Sequence, residues 1–473
     1  MLKRNFICTV GAAALLSGVS MPASADPVTI RVVAKDLLNT NPDDVKLMQI
    51  YENALRAKGT DIKIEIVNLP ASGYADKLGA MLLSGDIPDL IYFQGGDQAM
   101  SEQGILEDWN TWLPKTTYLK DALYPHNKAR LQNYPYLLYV FPPRVSQPVM
   151  RADWLSKTGL SKPHTVEDYT NLFKAIKKGN FGGVGSDHTY GMTVPGNMNE
   201  ADSIFNQAFG ISASWLKDGD GNWISSLISE QQRTKIAYYS SLREQGLLDP
   251  EYITTKWDTR EDKFYSGRVG VVFSSSAENV DVYSGKMRQV NPDANPSLAL
   301  LSPPKGAGGQ GLAAVDVSKE PRGFAISSLS EHKEEVVKFL DFVASPEGQA
   351  LERLGFEGEQ YTKDGDTLKP TAKMATWYVR FIASSTWKMP DGFRSEAATQ
   401  FLDNVSRDYK PDNDFIWPAE YAADIDSSQN IYKAWMYKFI SGQAKLDQWD
   451  QFVSEWKVAG GDRLTEYART VLK

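Results

Sequence analysis

The sequence predicts an α/β fold, with helices covering both faces of a mostly parallel, doubly wound sheet. Three observations predict it. From Val28 to Phe93, runs rich in β-branched residues alternate with helical segments, the pattern of strands joined by helical crossovers. From Pro148 to Lys178 the pattern repeats as strand, turn and amphipathic helix. Two further apolar runs, Gly267–Phe273 and Arg322–Ser327, lie among helical segments.

At the start of the chain, Lys3 and Arg4 precede an apolar run from Ile7 to Val19, and Ala23-Ser24-Ala25 supplies small residues for cleavage. This is the pattern of a secretory signal peptide over residues 1–25, leaving a mature chain from Asp26. No later run reaches the roughly 18 apolar residues a spanning helix needs. The single cysteine, Cys8, lies in the signal. The mature chain is thus expected to carry no disulfide, no thiolate nucleophile and no cysteine–metal site. Losing Lys3 and Arg4 takes the formal charge from −8 to −10. That is moderate for this length and argues against nucleic acid or an anionic membrane as partner. The expectation is a soluble, monomeric protein of a Gram-negative periplasm.

The mature chain opens with a strand, Val28–Ala34. A helix follows near Asp43–Ala57, then a strand Ile62–Val67, a helix Asp76–Ser84 ended at Gly85, and a strand Leu90–Phe93. Ligands of such sheets bind beyond the carboxyl ends of the strands. Those ends are Lys35–Asn39, Leu69–Tyr74 and Gln94–Gln98. Further on, Trp154–Thr158 forms a short helix stopped by Gly159. Thr165 caps a helix whose apolar residues, Val166, Tyr169, Leu172, Phe173 and Ile176, recur at helical spacing. Ser330 precedes a helix over Glu331–Val343, and Ser345-Pro346 opens the next. The remainder is helical and rich in Trp and Tyr.

Several strings occur in a telling order. These are Tyr74–Phe93 with its Ser84-Gly85-Asp86-Ile87-Pro88-Asp89 turn, Gly104–Asp108, Arg151–Leu155, Tyr190–Met192, Lys217–Asp249 and Tyr437–Gly442. Together they resemble the extracellular solute-binding proteins of carbohydrate ABC importers, above all the larger branch with oligosaccharide- and alginate-binding members. The resemblance implies the two-lobe periplasmic binding protein fold, a carbohydrate held in a cleft between the lobes, and delivery to a membrane permease. It implies no catalysis. The expected lobes are residues 26–147 with 314–360, and 148–313 with 361–473. A secreted glycosidase or polysaccharide lyase is the alternative, because paired carboxylates are easily hidden among 59 acidic residues.

A sugar cleft needs aromatic platforms and planar polar groups. Gln94 and Asp97 follow a strand end, Ser275 ends the Phe273 strand, and Asn197 and Asn199 sit in a loop. Trp257, Trp387 and Trp417 lie in polar loops without helical periodicity. Arg322, with Arg144 and Arg151, lies near expected lobe crossings and suits a carboxylate or sulfate. These nine residues (Gln94, Asp97, Asn197, Asn199, Trp257, Ser275, Arg322, Trp387, Trp417) are the expected ligand contacts. Trp435, Trp449 and Trp456 show helical spacing and are expected in packing. Asp218-Gly219-Asp220-Gly221-Asn222 resembles half of a calcium loop. Trp223 replaces the glycine at the sixth position, however, and Ser229 the glutamate at the twelfth. A hairpin turn is expected there, with calcium as the alternative. The four histidines show no metal spacing, and no cofactor is expected.

Overall fold

The computed structural model describes residues 27–142, 144–290, 297–313, 320–410 and 412–472. The signal segment and the expected junction at Ala314 lie outside the described residues. The strands are β1 (Val28–Val33), β2 (Ile62–Ile66), β3 (Leu90–Gln94), β4 (Gln147–Arg151), β5 (Tyr190–Met192), β6 (Trp215–Lys217) and β7 (Trp223–Ser225). After these come β8 (Val269–Ser274), β9 (Leu298–Leu300), β10 (Leu312–Ala313), β11 (Arg322–Ile326), β12 (Tyr361–Asp364), β13 (Thr367–Pro370) and β14 (Tyr409–Lys410).

The first sheet has the order β11-β3-β1-β2. β1 runs parallel to β2 and β3, and β11 pairs antiparallel with β3, setting Arg322 opposite Gln94. At the sheet edge, β2 alternates buried Ile62, Ile64 and Ile66 with exposed Lys63 and Glu65, as a strand covered on one face must. In the interior, β3 buries Leu90 through Phe93 without alternation. The helix Pro42–Ala57 opens with Asn41, whose side chain accepts from the Asp43 amide, and buries Leu47, Met48, Tyr51 and Leu55. Tyr51 meets Phe339 and Phe342 of the helix Lys333–Ala344 edge-on, both at 5.8 Å.

This first core also takes in Trp377, Phe381 and Ile382. The lobe change expected at residue 360 therefore comes too early. The segment carries no periodicity that would betray its place. Buried polar anchors hold it instead. Glu352 accepts from Tyr51 Oη at 2.7 Å and from the amides of Arg380 and Phe381 at 2.5 Å each. Asp44, fully buried, takes Arg380 Nε at 2.9 Å.

The second sheet has the order β5-β8-β4-β9. Only β5 and β8 are parallel, and β4 is antiparallel to both β8 and β9. This sheet is mixed rather than mostly parallel, because β4 enters it from the neighbouring lobe and not through a helical crossover. Central β8 feeds a core on each side. Val271 and Phe273 face one cluster and Val269 and Val272 the other. The helix Val166–Gly179 is capped by Thr165 and buries Tyr169, Leu172, Phe173 and Ile176, as its spacing predicts. Trp435, Trp449 and Trp456 are buried in the same lobe.

The chain passes between the lobes ahead of β4, between β10 and β11, and again after Ala383. The Ala383 amide still bonds Val140 O of the first lobe at 2.9 Å, whereas the Ser395 amide reaches Asp281 of the second at 3.3 Å. In β11, Gly323 has φ 149°, and a Cβ there would lie 2.6 Å from Leu138 O. Gly323→Ala is expected to lower the unfolding free energy by about 2 kcal/mol, from backbone strain and steric overlap. Urea denaturation measures it; an unchanged midpoint would show that β11 yields to the methyl group.

Candidate functional site

The carboxyl ends of β1, β3 and β8 converge, with the start of β11, on a cavity of about 250 Å³ between the lobes. The first lobe contributes Lys35, Asp36, Tyr92, Gln94, Tyr139 and Arg322; the second contributes Ser275, Ser276, Glu278 and Phe401. Phe141, Arg144 and Tyr378, from the segments near the crossings, close the wall.

Local sequence builds each side. Gln94 ends β3, and Gly95 and Gly96 turn the chain away at φ 91° and 76°, values that cost glycine little. After β1, Asp36 adopts φ 67°, uncommon for a residue with a side chain. Its carbonyl accepts from Tyr378 Oη at 2.7 Å, which ties the strand end to the return segment. Ser275 and Ser276 lead from β8 into the helix Ala277–Val290, so this helix begins at the cavity. Ser276 Oγ accepts from the Asn279 amide at 3.2 Å, in the manner of a helix cap.

Positive groups crowd one wall. Glu320 Oε1 takes Arg144 Nη1 at 2.6 Å and Arg322 Nε at 2.7 Å, while Arg130 Nε donates to the Glu320 carbonyl at 2.9 Å. Burial pushes the Glu320 carboxyl up, but Arg144 and Arg322 outweigh it and hold the group below its ordinary value. Lys35 is pushed below the ordinary lysine value, first by burial and further by Arg322 and Arg144. Asp36 opposes that shift from 4.0 Å. Lys35 Nζ stands 5.3 Å from the centre of the Trp257 ring, which belongs to the second lobe.

A second cavity, of about 390 Å³, lies beyond Tyr378 and Val379, which line both. Between the two, Glu278 Oε1 pairs with Arg353 Nη2 of the first lobe at 3.2 Å and with Arg394 Nη2 at 3.5 Å.

Of the expected contacts, the structure gathers Gln94, Ser275 and Arg322 around the first cavity. Trp257 faces Lys35 and is 36 % exposed. It opens the helix Trp257–Tyr265, where a loop was expected. Neither Trp257 nor the remaining five line this cavity. Asp97 is buried and accepts from Tyr136 Oη at 3.0 Å; burial pushes its carboxyl up. Asn197 is exposed and caps the turn in which its Oδ1 accepts from the Asn199 amide at 2.9 Å. Trp387 sits 5.6 Å from the Arg353 guanidinium. Trp417 packs among Trp215, Phe415, Tyr421 and Tyr467, with ring centres 4.6 to 6.1 Å away. Its loop was polar in sequence, but its partners come from distant segments. Of the Arg144, Arg151 and Arg322 group, Arg151 pairs with Asp153 at 2.7 Å and lies outside the lining. The sequence reading missed Tyr92, Tyr139, Phe141 and Tyr378 as lining residues. Lys35 had one available signal, its place directly after a strand.

The half calcium loop forms the hairpin turn between β6 and β7. Asp218 Oδ1 is occupied by the amides of Asp220 and Asn222, at 3.0 and 2.8 Å. Ser229, at the twelfth position, caps the helix Glu230–Glu244. Its hydroxyl offers no bidentate carboxylate, so the donor set does not fit calcium. Among the described residues no three His, Cys, Asp or Glu side chains assemble at metal-binding distance. Addition of a chelator is expected to leave the melting temperature unchanged. A calcium-dependent rise that disappears in Asp220→Ala would overturn this.

Among known proteins, the chain is similar to lipoprotein LipO of Bacillus subtilis (strain 168), at 24% identity over 98% of this chain and 97% of that one. It is also similar to the polygalacturonan/rhamnogalacturonan-binding protein YtcQ of the same bacterium, at 23% identity over 86% and 85%. The fold matches the solved substrate-binding protein FusA of Streptococcus pneumoniae in complex with kestose. That match has a TM-score of 0.64 and 19% identity, covering 94% of this chain and 98% of that one. The family model for the bacterial extracellular solute-binding protein matches residues 40–350. With two helix-flanked sheets and a cavity at their strand ends, the chain belongs to the bacterial extracellular solute-binding protein family.

Proposed function

We propose that this protein is a periplasmic receptor that captures a carbohydrate, of oligosaccharide size, between its lobes and hands it to an ABC transporter permease. The observation that carries the reading is the cavity at the carboxyl ends of β1, β3 and β8, walled by both lobes. Its rings, Tyr92, Tyr139, Phe141, Tyr378 and Phe401, suit the apolar faces of sugars. Gln94, Ser275 and Asn279 suit their hydroxyls. Relatives support the same class, since YtcQ is named for polygalacturonan and rhamnogalacturonan and FusA is in complex with kestose. Membership of a solute-binding family supports capture without turnover. No described helix is long and apolar enough to cross a membrane.

A thermal-shift screen of oligosaccharides, followed by calorimetry and product analysis, tests the proposal. Saturable binding with the sugar recovered intact is expected, and sustained cleavage would replace the receptor by an enzyme. Closure on the ligand follows from a site shared by two lobes. Small-angle scattering is expected to give a smaller radius of gyration at saturating ligand, and no change would count against hinge closure.

The aromatic residues separate cleft from packing. Trp257→Ala is expected to weaken binding roughly 30-fold, the scale of a stacked ring in a desolvated contact. Trp417→Ala is expected to lower the melting temperature and leave affinity nearly unchanged. Equal binding by Trp257→Ala and the unaltered protein would remove Trp257 from the site.

A further inference from the structure

Among the described residues, cations gather on one wall of the cleft. Arg144 and Arg322 both lean on one oxygen of Glu320, with the Arg130 guanidinium against the carbonyl of the same residue. Lys35 adds a fourth cation, and the carboxylate it meets among the described residues, Asp36, stands off at 4.0 Å. Elsewhere on the walls Arg380 is paired with Asp44, and Glu278 is shared by Arg353 and Arg394. Nor is this a general property of the surface, because the chain as a whole carries a formal charge of −8. A basic pocket on an acidic protein is a local arrangement, and holding like charges together in a partly desolvated cleft is costly unless an anion arrives.

Geometry favours the same conclusion. Arg322 engages Glu320 through Nε and lines the cavity. A guanidinium in that lining carries the planar donor fork that matches a two-oxygen anion. Opposite stands the start of the helix Ala277–Val290, whose first-turn amides and dipole add positive potential. Tyr92 and Tyr139 provide ring faces beside the cations, so the anion is expected on a ring-shaped, stackable molecule.

On the reading of this cleft as a carbohydrate site, on which this inference rests, we propose that its ligand is an acidic saccharide whose anionic group is held by Arg322 and Arg144, with Lys35 beside them. The recognised chemistry is a planar or tetrahedral anionic oxygen group on a sugar ring. A uronic acid supplies it as carboxylate and a sulfated sugar as sulfate.

Calorimetry on the full mature protein tests this with four probes: oligogalacturonate, oligomannuronate, a sulfated galactan oligosaccharide, and neutral galacto-oligosaccharide of equal length. Binding of an acidic probe at least tenfold tighter than the neutral one, weakening as salt rises, is expected. The uronate and sulfate arms identify the source of the charge. Methyl esterification of a bound uronate is expected to abolish the preference. Arg322→Gln is expected to cost the acidic probe between tenfold and 100-fold. Arg322→Lys is expected to recover part of the loss, since it restores charge without the fork. Lys35→Gln removes a point charge and no fork, gives a smaller loss and serves if Arg322→Gln does not fold. Tight binding of the neutral probe, unaffected by Arg322→Gln or Lys35→Gln, would overturn the inference and leave the carbohydrate receptor standing. Failure of all four probes would overturn both.

Discussion

The buried contacts of Glu352 and Asp44 with the return segment Tyr378–Phe381 set the form of the cleft. Glu352 is an acceptor-only group when ionised, and it is given three donors: one phenol and two consecutive amides. Asp44 receives Arg380 in the same interior. Ion pairs of this kind add little net stability over apolar packing, but loss of one partner strands the other at a cost of about 3–5 kcal/mol. Their effect is to leave one arrangement available. The chain after β13 must lie on the first lobe, and Tyr378 must then reach the end of β1. Burial raises the carboxyl of Glu352, the cost of putting a charge where backbone amides need an acceptor.

The wall built on this segment is chemically mixed for a reason. Rings provide broad contact at little conformational cost, and the cations beside them give direction. Lys35 and Trp257 meet across the lobes. A cation over a ring is a weak tie in water and a stronger one when desolvated. It therefore suits a boundary that has to open and close. Glu278 gives a second tie across the lobes, between Arg353 and Arg394, on the side of the other cavity.

Much of the architecture was readable from periodicity. Strands β1 to β3, the capped helix Val166–Gly179 and the packing tryptophans of the last helices declare themselves through local pattern. The strand-end rule also brought Gln94, Ser275 and Lys35 into view, because it concerns residues next to an element that the pattern identifies. Trp417 shows where such reasoning ends. Its loop is rich in Pro and Asp, yet the ring lies among Trp215 and Tyr467, which stand some 200 and 50 positions away in sequence. Tyr378 and Arg380 gave no local signal either, since their place depends on Glu352 and Asp44, far away along the chain. The mixed second sheet was equally hidden, because strand direction there follows from how the chain arrives and not from the composition of β4.

The helix Ala277–Val290 touches both cavities. Ser276, Ala277 and Asn279 stand at the first, and Asp281, Ser284 and Arg288 at the second. Fourteen residues make a rod of roughly 21 Å, and its far half is pressed against the first lobe, where Gly285 leaves room for the Ala375 carbonyl. A Cβ at position 285 would lie 2.7 Å from that carbonyl, so the close seat of this helix on the first lobe depends on a residue that meets neither wall of the first cavity.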